Sequence, residues 1–174
     1  AEGSTEFMFK GYGAGTNWSG FYDVALLDHL AKSYKTRAHD FPLTVKNLIL
    51  LGEYLKRQYN GRYYAKAQNL TQVLRNAYDS ALKSFDVLVM PTIPHLPSTI
   101  PPKDADFGEY MSKALNMINN TPQFNLTGHP AISVPCGIHN GLPIGFQIVG
   151  RHYEDKTVLQ VADALEKSGD WKNF

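Results

Sequence analysis

The chain has 174 residues, 43% of them hydrophobic and 19% charged, with a formal net charge of +1, the make-up of one ordinary globular core. So small a charge, with no run of one sign, argues against nucleic acid or an anionic membrane surface as a partner, because steering needs a clustered excess. The single cysteine, Cys136, cannot form an internal disulfide, and without a signal-type or membrane-spanning apolar stretch the expected setting is the cytoplasm, with no membrane contact.

Residues 1–20 are read as a lead-in and residues 21–174 as the folded part. AEGSTEF, ahead of Met8, looks like an expression scar. The glycines that follow, Gly11, Gly13 and Gly15, match no nucleotide-binding fingerprint, since no strand precedes them. Asp23 is a predicted helix cap, with Leu27, Leu30, Ala31, Tyr34 and Ala38 on one stripe and Pro42 as the stop. A second helix from about Leu43 presents Leu48, Leu51 and Leu55, and Asn60-Gly61 breaks it. A third, longer helix carries Ala67, Leu70, Leu74, Ala77, Ala81 and Phe85 inward, with Gln68, Gln72, Arg75, Asp79 and Lys83 toward water. Each stripe needs a sheet or another helix to cover it.

The apolar run Val87–Met90 reads as a strand buried on both faces, which implies helices on each side. Pro91, Pro94, Pro97, Pro101 and Pro102 make the next stretch an extended loop at the carboxyl end of that strand, where ligand crevices of α/β sheets form. A helix from about Phe107 to Asn119 and a short turn through Leu126 stop at Gly128. Ala131–Val134 and Ile144–Val149 are predicted to pair as a hairpin with a longish loop reversing at Asn140-Gly141. Asp155 is the expected cap of a closing helix that buries Val158, Val161, Ala162 and Leu165 before Gly169. Helices alternating with short apolar strands predict an α/β fold.

Two other clusters carry less. His129, His139 and His152 match no common ligand spacing, so no metal is expected. Tyr59, Arg62, Tyr63, Tyr64 and Lys66 interleave rings and cations, but a single helical turn of this kind reads as a packed face with solvated basic tips.

The segment TPQFNLTGHPAISVPCGIHNGLPIGFQIV, Thr121–Val149, followed by Gly150-Arg151, resembles the C-terminal signature of the amidase signature family. VKNLILLGEY, YYAKAQNLTQVLRNAYDSAL, FDVLVMPTIPHLPSTIPP and GRHYEDKTVLQVADALE follow the family's order and spacing, so the resemblance runs from about Gly11 onward. It implies part of an α/β/α sandwich, a mixed β-sheet flanked by helices. It also implies hydrolysis of carboxamides to acid and ammonia by a Ser, cis-Ser, Lys triad with no metal or organic cofactor. Such a triad needs an exposed serine, a second serine relaying its proton, a buried neutral lysine and backbone amides for the oxyanion. The family's glycine- and serine-rich motif lies upstream of the blocks seen here, and no two serines of this chain are adjacent. The resemblance therefore implies a C-terminal half with no catalytic residue of its own, inactive alone, whose partner is the N-terminal half. The alternative is a non-catalytic binding or structural module.

In the transamidating relatives an arginine in the block matching Val45–Gly52 is expected to grip the substrate's α-carboxylate. Asn47 and Leu48 stand there in this chain, and Ile118, Asn119 and Asn120 stand where those relatives place an acidic residue. Both departures imply a neutral small-molecule amide as substrate. Asn119, Asn120, Gln123 and Asn125 either orient a substrate carboxamide or cap the short helix. Leu48 either lines the pocket or belongs to its helix's core. With part of the sheet supplied from elsewhere, the chain made alone is expected to self-associate through exposed edges.

Overall fold

The computed structural model describes residues 1–11 and 21–173; residues 12–20, most of the expected glycine-rich lead-in, lie outside the described residues. The chain divides into two compact units, Ala1–Asn69 and Leu70–Phe174.

In the first unit, α1 (Val24–Thr36) starts where expected, the Asp23 carboxylate accepting the Leu26 amide at 3.0 Å. It ends earlier than Pro42, because a single 3-10 turn, Ala38–Asp40, intervenes. α2 (Leu43–Tyr59) follows Pro42 directly and stops at Asn60 and Gly61, both left-handed with φ of 53° and 81°. AEGSTEF carries no periodicity from which a helix could be read, yet Ser4–Lys10 forms a π-helical segment against α2. Its anchors are distant in sequence. The buried Thr5 hydroxyl reaches the Leu48 and Ile49 carbonyls, at 3.3 Å each, Lys56 pairs with Glu6, and Lys10 pairs with Glu53. Gly52 makes room, since a Cβ there would collide with Thr5 Oγ1. Phe9, Tyr34 and Phe41 close a ring cluster with centroids 5.6 to 5.9 Å apart.

α3 (Arg62–Leu82) carries the chain into the second unit. There the buried and half-buried residues of α3 include Arg75, Tyr78, Asp79 and Leu82, whereas Leu70 and Phe85 are more than half exposed. The period is helical as expected but the packed face is rotated, because the surface opposite is polar and takes Arg75 and Asp79 inward, as described below.

β1 (Leu88–Pro91), β2 (Ala131–His139) and β3 (Leu142–Val149) form a sheet of order β1-β3-β2, with both pairings antiparallel. β1 alternates half-buried and exposed residues, so it is not the doubly covered strand that its apolar run suggests; in this chain it lies at an edge. The β2–β3 hairpin is tighter than expected. Pairing continues to His139 opposite Leu142, leaving only Asn140 (φ 51°) and Gly141 (φ 76°) in the turn, the conformation that Asn-Gly favours. A bulge between Pro135 and Gly137 absorbs Cys136 and the proline, which cannot donate to a ladder.

α4 (Phe107–Asn116) is capped by Asp106, and α5 (Pro122–Thr127) stops at left-handed Gly128, φ 80°. α6 (Asp155–Lys167) lays Val158 and Ala162 on Val134 and Ile148, with Ile132, Phe146, Val161 and Leu165 around them. Asp155 is already inside this helix. Glu154 occupies the cap position, and its carboxylate is held by Arg151 at 3.1 Å. The result is α/β, and among the described residues no helix is long and apolar enough to cross a membrane.

Candidate functional site

Alternation along the strands gives the sheet two unlike faces. Ile132, Val134, Phe146 and Ile148 point to α6, so Ser133, Gly145 and Gln147 share the opposite face. There the chain beyond β1 is stitched to the sheet. The Thr92 amide donates to the Gly145 carbonyl at 2.8 Å, and Thr92 Oγ1 lies 2.5 Å from Ser133 Oγ. A Cβ on Gly145 would sit 2.7 Å from Thr92 Oγ1, so the close approach requires glycine.

Asn120 joins this patch. Its Nδ2 donates to the Pro91 carbonyl at 2.8 Å, while its backbone carbonyl accepts Gln123 Nε2 and the buried Gln147 Nε2, each at 2.9 Å. The structure thus unites Asn120 and Gln123, together with Gln147, Ser133 and Thr92, which sequence reasoning did not single out. A strand period of two, applied to β3, puts Gln147 on the face away from Ile148 and was the available signal. Asn119 and Asn125 are exposed and make no side-chain hydrogen bond among the described residues. Asn47 and Leu48 are half-buried on α2 in the first unit, and the Leu48 carbonyl is occupied by Thr5.

The patch formed by Asn120, Gln123, Gln147, Ser133 and Thr92 is uncharged. It can donate and accept hydrogen bonds, but the hydroxyl beside Ser133 is no base and cannot activate it as a nucleophile. That composition suits holding a loop or a neutral amide.

A second cluster lies where α3 meets the α5–β2 junction. Buried His129 has Nδ1 2.9 Å from Thr127 Oγ1 and Nε2 3.3 Å from Asp79 Oδ1. His152, just after β3, stacks on it with ring centroids 4.1 Å apart and brings Nε2 to 3.9 Å from the same carboxylate oxygen. Arg75 donates to the Thr127 carbonyl at 3.0 Å. Burial, and then the charge of His152, push the His129 pKa below its ordinary value, with Asp79 partly opposing them. His139 stays at the exposed hairpin end and takes no part. Thus two of the three histidines do converge, on an aspartate 50 residues before His129, a separation that no spacing rule reads.

The Amidase family model matches residues 12–159. An uncharacterized protein in the nthA 5' region of Rhodococcus erythropolis is 46% identical over 95% of this chain and 83% of its own length. The enantioselective amidase of Rhodococcus rhodochrous is 41% identical over 92% of this chain and 31% of its own. Among solved structures, a 6-aminohexanoate cyclic dimer hydrolase superposes with a TM-score of 0.57 at 28% identity, over 75% of this chain and 28% of that one. The chain belongs to the amidase family. It spans less than a third of the length of the last two relatives.

Proposed function

We propose that this chain is the C-terminal part of an amidase that hydrolyses neutral carboxamides to acid and ammonia, and that it is inactive without the N-terminal part carrying the Ser/Ser/Lys triad. The observation that carries the reading is the match over 92% of this chain to only 31% of an enantioselective amidase, combined with a chain that has no adjacent serines. The half-covered apolar stripes of α1 to α3 support it, since they want a surface that another part of the enzyme would supply.

The neutral patch at the end of β1 forms part of the pocket wall in this reading. Asn120 and Gln123 hold the loop, and Asn119 and Asn125 are free to meet substrate or the nucleophile segment. Separately, in the first unit, Asn47 and Leu48 stand where the transamidating relatives are expected to carry a carboxylate-gripping arginine. A site without that cation rejects an α-carboxylate, because desolvating an unpaired charge costs several kcal/mol. No metal or organic cofactor takes part in hydrolysis. In the assembled enzyme, aliphatic or aromatic amides are then turned over with a kcat/KM well above that for glutamine. Comparable values for the two would refute the substrate class.

The second reading, a non-catalytic module, is favoured by one observation, the short Rhodococcus erythropolis relative of which this chain covers 83%. Amide hydrolysis that appears only when the N-terminal part is added distinguishes the first reading from it.

A further inference from the structure

We propose that Asp79, His129 and His152 form a binding site for one divalent transition-metal ion of the zinc class, serving to pin the fold and separate from amide hydrolysis. One ligand atom from each of the three lies within 4.8 Å of the other two. The two separations to Asp79 Oδ1, 3.3 Å from His129 Nε2 and 3.9 Å from His152 Nε2, compare with about 3.3 Å between neighbouring ligand atoms of a tetrahedral site with bonds of about 2.0 to 2.1 Å. The two histidine nitrogens lie within 4.8 Å of each other, so a shift of up to about 1.5 Å in half-exposed His152 completes the site.

Three features mark this as more than a stacked pair. His152 Nε2 is buried, with no hydrogen-bond partner in the structure, an orphan that a metal bond would satisfy. His129 has its outer-shell partner in place. With a metal on Nε2 the ring proton moves to Nδ1, and the Thr127 hydroxyl, 2.9 Å away, can turn from donor to acceptor for it. Asp79 and His152 border a surface cleft with Asn76 and Ser80, and His152 borders a second with Arg75 and Asp155, which gives an ion a route from solvent to the cluster. Two imidazoles and one carboxylate suit zinc, cobalt, nickel or copper rather than magnesium or calcium, which prefer oxygen. The ion would tie α3 to the α5–β2 junction and to the turn between β3 and α6.

The test uses the full chain stripped of metal and titrated with Co²⁺, whose visible absorption reports coordination, and with Zn²⁺ in competition. One equivalent binds, and Zn²⁺ raises the melting temperature. His152→Ala, at a half-exposed position that spares the core, and Asp79→Asn each weaken Co²⁺ binding at least about tenfold and abolish the Zn²⁺ shift, while His139→Ala leaves both intact. Failure of either ion to bind at one equivalent overturns the proposal. So does binding that survives both His152→Ala and Asp79→Asn, or that is lost in His139→Ala.

Discussion

Arg151 closes the second unit as a three-way fork, and replacing it with lysine should damage the fold although charge is kept. Its Nε donates to the Leu82 carbonyl at 2.8 Å, Nη2 to the Phe85 carbonyl at 3.0 Å and Nη1 to Glu154 at 3.1 Å. The first is the last carbonyl of α3, where no helical donor remains, and the second belongs to the turn three residues beyond it. A hydrogen bond to a charged donor contributes about 1.5 to 3 kcal/mol. The Arg151 side chain is 37% exposed, so the low end applies, and loss of both carbonyl bonds in Arg151→Ala comes to about 3 kcal/mol. The ion pairs with Asp86 and Glu154 are largely solvent-exposed and add under about 1 kcal/mol. Lysine, a point donor on a flexible stem, can serve one carbonyl and not both, so Arg151→Lys should cost roughly half as much, about 1.5 kcal/mol. Urea unfolding followed by circular dichroism reads both variants as lowered midpoints. A lysine variant within about 0.5 kcal/mol of the parent would refute the fork reasoning, as would an Asp86→Asn, Glu154→Gln double variant as damaging as Arg151→Ala.

Ile148, fully buried between Val134 and α6, should cost about 2 to 5 kcal/mol as Ile148→Ala; a loss below about 1 kcal/mol in the same urea assay would mean that this layer is not the core. His129 has a folded-state pKa below the unfolded 6.5, so the unfolded chain binds more protons near that pH. Its contribution is then full above pH 6.5 and lost as pH falls below it, and a urea midpoint unchanged from about pH 8 to about pH 5 would contradict this. Light scattering across a concentration series should give a multiple of 19.5 kDa, because Leu50, Leu70 and Val73 are more than half exposed and β1 and β2 are sheet edges in this chain; a constant single-chain mass would refute self-association.

Local chemistry was legible in the sequence. Asp23 as a cap, Asn60-Gly61 as a break, Gly128 as a stop and the α6 stripe of Val158 and Ala162 are each decided within a few residues, and each is found in the structure. What escaped depends on pairing across the chain. Thr5 and Glu6 gain their anchors from α2, more than forty residues on. The inward turn of Arg75 and Asp79 is decided by the polar surface of Thr127 and His129, which no stripe on α3 reveals. The hairpin differs for a local reason, since Pro135 within a strand argues for loop until the bulge accommodates it. At the candidate site, Asn120 and Gln123 could be named from the sequence, and Gln147 from the two-residue period of β3, whereas the bond of Gln147 to Asn120 depends on the tertiary fold.

The most direct measurement is ammonia release from a panel of aliphatic and aromatic amides, made with the purified chain alone and then with the serine-bearing N-terminal part of the enzyme added. The chain alone should release none, and the mixture should turn over. Ammonia produced by the chain alone, and lost on replacing one of its own serines such as Ser133, would contradict the assignment as an amidase part without catalytic residues.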